Sequence, residues 1–340
     1  MNILAIETSC DETAAAVVRD GREILSDIVA SQVDLHARFG GIVPEIASRK
    51  HVELLNPVIR EALDSAGIGF PDVNAVAVTN RPGLLGALLV GVSAAKSISA
   101  ALEVPLIGVH HLEGHIYANF LVNPDLAFPF VCLIVSGGHS DLVLVGNHGD
   151  YEILGRTRDD AAGEAFDKSA RVLGLGYPGG PIINELADKG NPEAIRFPRA
   201  DLGDTLDFSF SGLKTALIRF FHKQGAEFSI QDIAASFQAA VVDMLVNTTM
   251  AAVERTGIRR VALAGGVAAN TGLQGRMREE AARRGIELSY PPPQLCTDNA
   301  AMIACAGYYH ILRGDVDSLD LDTIASQPLK GSIGSIQYIE

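Results

Sequence analysis

Hydrophobic and polar positions alternate between strand-like and helix-like patterns along most of this chain. Residues 3–18 read as a strand, a small polar turn and a second strand, and residues 43–66 carry apolar side chains three and four positions apart, as an amphipathic helix does. A buried-type strand at 73–79, a helix from about 84 to 102 and a strand at 104–109 follow. Strands that alternate with helices in this way predict a layered α/β fold.

The same order of elements then starts a second time. Ser136 occupies the turn after the first strand of the second half, as Ser9 does in the first half. The strand and glycine turn around Val261 match those around Val76, but at a larger offset along the chain. The larger offset places an insertion within 151–258, where the pattern predicts four helices. The chain therefore reads as two α/β lobes of the same topology with one cleft between them, where ligands of such sheets bind.

This repeat sets the expected domain boundaries. We expect an N-terminal lobe at 1–116 and a C-terminal lobe at 117–313 that contains the mainly helical insertion. The tail at 314–340 is polar and poorly patterned, so we expect loop or partly mobile structure there. A length of 340 residues also suits two domains better than one.

Composition narrows the class of protein. Apolar residues make up 48% of the chain and charged residues 20%, as in an ordinary globular protein. The four cysteines form no CxxC pair, which favours a reduced, cytoplasmic protein. We expect no signal peptide, and no membrane span because the longest apolar run, at about 84–95, is too short to cross a bilayer.

The net charge of −14 argues against nonspecific nucleic-acid binding by the whole surface. A cluster of arginines could form a local basic patch. Arginines on a helix with Glu279 and Glu280 nearby more often lie on a face that is simply exposed to solvent. These arginines are Arg255, Arg259, Arg260, Arg276, Arg278, Arg283 and Arg284.

The sequence HHLEGH at 110–115 offers metal ligands. On a helix, His111 and His115 would lie on one face, one turn apart, and could share one ion. A third ligand is needed, and Asp298 follows His111 at nearly the same offset as Val261 follows Val76. Such a pair of histidines can equally be an ordinary hydrogen-bonded one. Two histidines and an aspartate suit iron, zinc or manganese. Glu113 would point away from the histidine face and is badly placed as the base of a zinc protease.

Glycine turns in both halves indicate a nucleotide. The turns at 136–138 and 265–266 leave backbone N–H groups free to approach phosphates, and Ser9 can add a hydroxyl. Asp167 could accept from ribose hydroxyls, and Asn270 could contact a sugar or base. One such turn alone is usually only a turn, but their matching places predict a nucleotide site. A nucleotide and a metal ion together suit chemistry at a phosphate or an attached acyl group.

Nine motifs in the chain resemble those of the TsaD family, the tRNA threonylcarbamoyltransferases once labelled glycoprotein endopeptidases. The resemblance covers about residues 3–312. The motifs are IETSCDET (6–13), GIVPEIASR (41–49), HHLEGH (110–115), IVSGGH (134–139), DAAGEAFD (160–167), YPGGP (177–181), FSFSGLK (208–214), AGGVAAN (264–270) and CTDN (296–299).

The resemblance implies a fold and an activity. The fold is two duplicated RNase H-like lobes of the actin-like ATPase type, shared with sugar kinases, Hsp70 and actin, with a cleft between the lobes. The activity is transfer of a threonylcarbamoyl group from threonylcarbamoyl-AMP to N6 of the adenosine next to the anticodon in tRNAs that read ANN codons. AMP leaves, and ATP, ADP or AMP can occupy the same cleft.

The resemblance also assigns residues. It implies that His111, His115 and Asp298 bind one divalent ion, usually described as iron, and that Asp11 and Glu12 lie near the reacting end. Asn184 stands where the family often has an aspartate, and its amide can still hydrogen-bond to a ribose. Together with the residues that the glycine turns suggest, the expected adenylate contacts are Ser9, Ile134, Val135, Ser136, Gly137, Gly138, Asp167, Gly180, Asn184, Gly265, Gly266 and Asn270.

Partners follow from the resemblance too. Bacterial members act with a TsaB-like paralogue, which pairs through the N-terminal lobe, and with a TsaE-like ATPase. The helices in the 31–66 region are the expected pairing surface. Within the cleft, Asp11 or Glu12 would orient the adenine amine or accept its proton, unless these carboxylates hold the metal through water or only shape the turn.

Three other functions stay open at this point. A sugar or small-molecule kinase can share the lobes, but it would not need the pair of histidines. A metallopeptidase fits the old family label, and the position of Glu113 speaks against it. The third is a nucleotide-binding scaffold without enzymatic activity.

Overall fold

The computed structural model of the protein describes residues 1–224 and 227–329. Within these residues, the strands are β1 (Asn2–Glu7), β2 (Glu12–Arg19), β3 (Glu23–Ser31), β4 (Ala75–Arg81), β5 (Leu106–His110), β6 (Phe130–Val135), β7 (Ser140–Asn147), β8 (Asp150–Arg156), β9 (Arg260–Ala264) and β10 (Glu287–Ser289). The α-helices are α1 (Val33–Ala37), α2 (Pro44–Ala66), α3 (Leu85–Leu102), α4 (His111–Val122), α5 (Ala162–Val172), α6 (Gly179–Ala187), α7 (Ser211–Gln224), α8 (Ile230–Thr256), α9 (Thr271–Arg284), α10 (Pro293–Cys296) and α11 (Ala300–Arg313). Short 3₁₀ helices lie at Phe70–Asp72 and Gly266–Ala269.

The described chain divides into two compact units, which we call the first unit (Met1–Leu126 with Gln294–Leu329) and the second unit (Ala127–Pro293). The expected boundary at 116 is too early, because α4 is one continuous helix that ends at Val122. The expectation that the segment after Gln294 belongs to the C-terminal lobe is also wrong. A sequence repeat gives the order of elements in each half, but it does not say against which sheet the last helix packs.

Both sheets have the topology that the repeat predicts. The first sheet has the order β3-β2-β1-β4-β5 and the second the order β8-β7-β6-β9-β10. In each sheet the first strand of the half pairs antiparallel with the second and parallel with the fourth. Ile3 lies opposite Ala75, and Val131 lies opposite Val261. The second pair spans a much longer stretch of chain than the first, because the helices α5 to α8 lie between β8 and β9.

The first sheet is covered on its faces by helices. Its central strand β1 is buried from Ile3 to Glu7, as expected where helices pack on both sides of parallel strands. The helices α2 and α3 pack on it, and so does α11. Helix α2 begins with Pro44 at its first turn, contains Pro57 without ending there, and stops at Gly67 with φ 67°.

The polar tail is partly ordered. Its described part, 314–329, is held to the first unit by backbone hydrogen bonds. The N–H of Asp317 donates to the Leu106 carbonyl at 2.9 Å, and that of Ile324 donates to the Asn80 carbonyl at 3.0 Å. The rest of the expected tail, 330–340, lies outside the described residues.

Two helices, α3 and α8, are long and apolar enough to cross a membrane when only length and composition are considered. The sequence predicts an apolar run that ends at about residue 95 and is too short to cross a bilayer. The apolar helix α3 is longer than that run, because it continues to Leu102. In α8, 78% of the apolar window is buried inside the structure, as in the core helix of a globular protein, and in α3 33% is buried.

Asp27 on β3 fixes the start of α11. Its Oδ1 accepts hydrogen bonds from the backbone N–H groups of Ala300 at 3.2 Å and Ala301 at 3.3 Å. These are donors of the first helical turn that have no partner within the helix. Burial nevertheless raises the pKa of Asp27 to about 6, although both N–H groups act to lower it.

We expect Asp27→Asn to change how stability depends on pH. Because the pKa of Asp27 is higher in the folded chain than its ordinary value of 3.8, the wild type loses stability as the pH rises from about 4 to about 6, by up to about 3 kcal/mol. The variant has no such carboxyl. Urea unfolding of both proteins should show their stability difference shifting in favour of the variant across this range, with a plateau above it. A difference that is constant with pH would contradict the prediction.

Candidate metal centre and nucleotide-binding loops

Three neighbouring parallel strands of the first sheet have their carboxyl ends side by side. The parallel strands β1, β4 and β5 end at Glu7, Arg81 and His110, and α4 begins directly after β5 with His111. Ligands of such sheets bind at the carboxyl ends of the strands. The histidine pair lies on a helix, as predicted. The start of this helix lies at the carboxyl end of β5, where a ligand site is expected.

The three predicted metal ligands lie together, all within the first unit. His115 Nε2 is 3.2 Å from Asp298 Oδ1, and His111 Nε2 is 3.5 Å from the same oxygen. One ligand atom from each residue lies within 4.8 Å of the others. The two rings meet edge to face, with centroids 4.7 Å apart. Asp298 reaches the site because the segment that precedes α11 returns to the first unit.

The residues present fit a metal ion. His115 is fully buried, and neither of its ring nitrogens makes a hydrogen bond of good geometry, although Nε2 lies 3.2 Å from Asp298 Oδ1. A buried polar atom without a partner costs free energy, which coordination of an ion would offset. Two imidazole nitrogens and one carboxylate oxygen form a three-ligand set with room for further ligands, as in catalytic metal sites.

Packing of α4 on α11 brings the ligands together. Gly114, between the two histidines, lies so close to α11 that a Cβ there would be 2.6 Å from Ile303 Cδ1. Next to it, Glu113 Oε2 is 2.9 Å from His310 Nε2 of α11. Glu113 therefore points away from the metal ligands and toward α11, as its position on the helix predicts.

The electrostatics of the two histidines differ. Burial lowers the pKa of His115. Burial also acts to lower that of His111, but the negative charges of Asp298 and Glu7 outweigh it and raise the pKa of His111 to about 9. These carboxylates therefore favour positive charge at this place, which a divalent ion would supply.

The predicted carboxylates Asp11 and Glu12 belong to the same region of the first unit. Glu12 Oε1 accepts from the Ser31 hydroxyl at 3.1 Å, and the N–H of Gln32 donates to the Asp11 carbonyl at 3.0 Å. Burial, followed by the charges of Asp298 and Asp11, raises the pKa of Glu12 to about 10. The carboxylates are thus close enough to the metal ligands to influence one another.

Sequence reasoning missed Glu7. Its carboxylate lies 3.2 Å from His111 Nδ1, and Ser9 Oγ lies 3.2 Å from the same nitrogen. The structure thus places Ser9 beside a metal ligand in the first unit. A signal for Glu7 was available, because a charged residue that ends a buried apolar strand needs a polar partner.

The two glycine turns of the second unit lie side by side. They follow the adjacent parallel strands β6 and β9, which end at Val135 and Ala264. A Cβ on Gly265 would be 2.4 Å from the Val135 carbonyl oxygen, and Gly265 has φ 86°, so this position requires glycine. Ser136 begins the first turn, and its carbonyl accepts from the N–H of Gly163 in α5.

The other predicted nucleotide contacts form two pairs in the second unit. Asp167 Oδ1 accepts from the N–H of Gly179 at 2.7 Å, next to Gly180 in the first turn of α6. Asn184 Oδ1, one turn further along α6, accepts from the N–H and hydroxyl of Thr271 at 3.1 and 2.9 Å. Thr271 is adjacent to Asn270, whose side chain caps α9 and donates to Gln238 Oε1 at 2.7 Å.

Most of the arginine cluster is engaged in ion pairs, which favours the interpretation of a solvated face. Glu280 alone pairs with Arg276, Arg283 and Arg284. Arg260 pairs with Glu287. A surface whose cations are balanced in this way offers little net charge to a polyanion.

The chain matches the family model for TsaD, tRNA N6-adenosine threonylcarbamoyltransferase, over residues 23–305. Proteins of that name are similar over nearly the full length. The one from Symbiobacterium thermophilum is 60% identical over 324 residues, or 95% of both chains. Those from Trichlorobacter lovleyi and Moorella thermoacetica are 57% and 58% identical and cover 97% and 96% of this chain and 97% of their own. The resemblance carried by the motifs is confirmed.

Solved structures confirm the fold class. The HypF protein of T. kodakarensis superposes with a TM-score of 0.63 at 16% identity, covering 92% of this chain and 48% of that one. Component A of the (R)-2-hydroxyglutaryl-CoA dehydratase from Acidaminococcus fermentans gives 0.56 at 17% identity, covering 92% and 99%. At such identities the likeness concerns the fold alone, which is of the actin-like ATPase type.

We expect Gly163→Ala to destabilise the second unit. The added Cβ would lie 2.5 Å from the Ser136 carbonyl oxygen and 2.7 Å from Gly137 Cα. Because both are backbone atoms, the turn must move, at a cost of about 1–3 kcal/mol in the free energy of unfolding. Gly212→Ala is a matched control, since Gly212 is likewise the second residue of a helix but faces open space. Urea unfolding should show a loss only in the first variant, and equal stability of the two would refute the close contact.

Proposed function

This chain belongs to the TsaD family, the tRNA N6-adenosine threonylcarbamoyltransferases, and we propose that it transfers a threonylcarbamoyl group from threonylcarbamoyl-AMP to N6 of the adenosine next to the anticodon in tRNAs that read ANN codons. The amine nitrogen forms a bond to the carbamoyl carbon, and the bond from that carbon to the phosphate oxygen breaks. The products are N6-threonylcarbamoyladenosine and AMP.

The observation that carries this proposal is the cluster of three possible metal ligands, two of them buried histidines, in a chain that resembles the TsaD family over nearly its full length. His111, His115 and Asp298 converge at the end of the first sheet. A kinase on this fold has no need of such a cluster. A zinc peptidase of the HExxH type would need the glutamate between its two histidines to face the ion as a base, and Glu113 instead lies 2.9 Å from His310 Nε2.

We assign one divalent ion to this site, with iron(II) as the first choice and zinc or manganese as alternatives, because imidazole and carboxylate ligands suit all three. When bound, such an ion acts as a Lewis acid and stabilises negative charge on phosphate or carbonyl oxygens.

Residues of the second unit bind the adenylate. The turns at 136–138 and 265–266 bind the phosphate through backbone N–H groups. Asp167 and Asn184 hold the ribose, and Gly180, in the first turn of α6, leaves space for it beside them. Asn270 contacts the adenine or the sugar. The hydrogen bonds that Asn184 and Asn270 make within the second unit support this, because they fix both side chains in place.

Asp11 or Glu12 receives the proton that the adenine amine loses. Burial and the charges of Asp298 and Asp11 raise the pKa of Glu12 to about 10, so Glu12 keeps its own proton at neutral pH unless a cation beside it offsets those charges. Orientation of the amine is the second part of their role.

The direct test is a transfer assay with tRNA, a TsaB-like paralogue, a TsaE-like ATPase and pre-made threonylcarbamoyl-AMP. We expect the wild type to form threonylcarbamoyladenosine. His111→Ala should lose nearly all turnover, and Asp11→Ala and Glu12→Ala should each lower kcat by about 10²–10⁴-fold. Glu23→Ala, on the exposed face of β3 and outside the proposed pairing surface, is the control and should turn over normally. An inactive wild type with intact partners would refute the function, and near-normal turnover in both carboxylate variants would remove Asp11 and Glu12 from the chemistry.

The partners we propose are the same TsaB-like paralogue and TsaE-like ATPase, with tRNA as the substrate. An apolar surface on α2 and α3 supports the first. Gly86 of α3 lies against Ser48 of α2. Near this contact Val52 is 64% exposed, Leu85 50% and Leu89 47%. Large apolar side chains exposed together are typical of a protein interface, and helices of this kind pair as bundles. The same surface accounts for the high apolar content of α3 without a membrane.

We place the reaction in the cytoplasm, where tRNA is available. In the described chain Cys10, Cys132, Cys296 and Cys305 form no disulfide, which supports a reducing compartment.

Leu89→Asp should weaken pairing with the TsaB-like paralogue. Burial of one leucine contributes about 2 kcal/mol, so its loss together with the burial of a charge should raise the Kd by at least about 30-fold in titration calorimetry. Leu312→Asp is the matched control, because Leu312 is 62% exposed at the end of α11. If both variants bind the paralogue equally well, the surface on α2 and α3 is not the interface.

A further inference from the structure

Glu7 is the most deeply buried carboxylate beside the metal ligands. Its side chain is 1% exposed, and no role was assigned to it above. Its Oε1 accepts from the N–H of Ser9 at 2.5 Å. Its Oε2 accepts from the hydroxyl of Thr79 and lies 3.2 Å from His111 Nδ1. A carboxylate with this many donors around it is held in one orientation.

We infer that Glu7 is a positioning residue, which holds the His111 ring with its Nδ1–H toward the sheet and its Nε2 lone pair toward Asp298, ready for a divalent ion. The inference rests on the proposed function only in taking the three ligands to bind such an ion.

The hydrogen-bonding capacities of Glu7 and His111 determine which ring nitrogen carries the hydrogen. A neutral imidazole carries one N–H and one lone pair, and an ionised carboxylate can only accept. Where Glu7 faces Nδ1, that nitrogen must therefore carry the hydrogen, and Nε2 is left as the ligand atom. Histidines that bind metals usually donate their other N–H to a carboxylate or carbonyl in this way, which fixes the ring and makes it a better ligand.

Neighbouring strands keep Glu7 in place. Thr79 stands near the end of β4, one residue after Val78, which pairs with Ile6 of β1. The two side chains therefore project from adjacent ends of a rigid sheet. The resulting chain of contacts runs from Thr79 to Glu7 and then to His111, with each member on a different strand end or helix start.

Ser9 is the competing partner of the same nitrogen. Its Oγ is 3.2 Å from His111 Nδ1, and a hydroxyl can donate as well as accept. If Ser9 donated there, Nδ1 would carry the lone pair and Nε2 the hydrogen, which would block the ligand atom. Removal of the Ser9 hydroxyl distinguishes the two arrangements.

Glu113 supplies a matched control. It too is a buried carboxylate, 3% exposed, that lies at 2.9 Å from a histidine ring nitrogen. Its histidine is His310, which is not among the metal ligands. A change from Glu to Gln at either place removes one buried negative charge from a His–Glu pair in the first unit, but only the change at Glu7 touches a ligand.

The experiment is a cobalt(II) titration of metal-free protein, with chelator competition for affinity and the visible absorption of the bound ion as a spectroscopic signature. We expect Glu7→Gln to weaken cobalt binding by about 10–100-fold and to change the spectrum. Glu7→Asp, which keeps the charge, should recover part of the affinity. Glu113→Gln and Ser9→Ala should stay within about 3-fold of the wild type, as a neighbour that does not set the ring orientation would.

A double-mutant cycle separates positioning from general loosening of the fold. In a His111→Ala background, Glu7→Gln should weaken cobalt binding little further, because the ring it orients is gone. Three results would overturn the inference: unchanged affinity in Glu7→Gln, equal losses in Glu7→Gln and Glu113→Gln, or a Glu7→Gln effect that persists at full size without His111.

The outcome for Glu7 is independent of the transfer assay. If the wild type binds cobalt and transfers the threonylcarbamoyl group but Glu7→Gln binds normally, only the positioning role is wrong. If cobalt binding responds to Glu7 as expected but no transfer occurs, the proposed function is wrong and the positioning role stands. A wild type that binds no divalent ion would refute both.

Discussion

The close packing of α4 on α11 is the contact on which the proposed metal centre depends. His111 and Asp298 are far apart in the chain, and no local structure could bring them together. Gly114 has no side chain, so α4 can approach Ile303 of α11 closely. The ring contact of Tyr117 with Tyr309 at 5.3 Å extends the same interface along both helices. The distance between the histidines and Asp298 follows from this packing.

The second constraint is electrostatic. The edge of the first sheet gathers Glu7, Asp11, Glu12 and Asp298 in a chain that already carries a net charge of −14. Without positive charge, such a group of carboxylates raises the pKa of Glu12 and that of the neighbouring His111. Four of the 41 acidic residues therefore meet at a place where a cation would offset their mutual repulsion.

Much of this could be predicted from the sequence. The period of the hydrophobic pattern indicates the strands and helices, and the repeat indicates that the two halves share one topology, with an insertion in the second. The spacing of His111 and His115 gives their common helix face, and the offset of the repeat identifies Asp298. These features are local or periodic, so one chain is enough to reveal them.

The rest depends on tertiary contacts that leave no period in the sequence. The repeat suggests that α11 belongs with the second half, whereas its nearly uniform burial comes from packing on the first sheet. Glu7 reads as the polar end of a strand until the neighbouring strand ends place His111 Nδ1 and Thr79 beside it. A hydrogen-bonding partner on another element is known only when the elements have been put in place.

The division of the first unit between both ends of the chain has a consequence for biosynthesis. A ribosome makes residues 1–126 first, and the second unit follows before Gln294–Leu329 emerge. Until then the nascent first sheet lacks α11, and its histidines lack the aspartate that completes their site. The three predicted ligands can therefore meet only after residues 294–329 have been made, so no ion can be held by all three before the second unit has been synthesised.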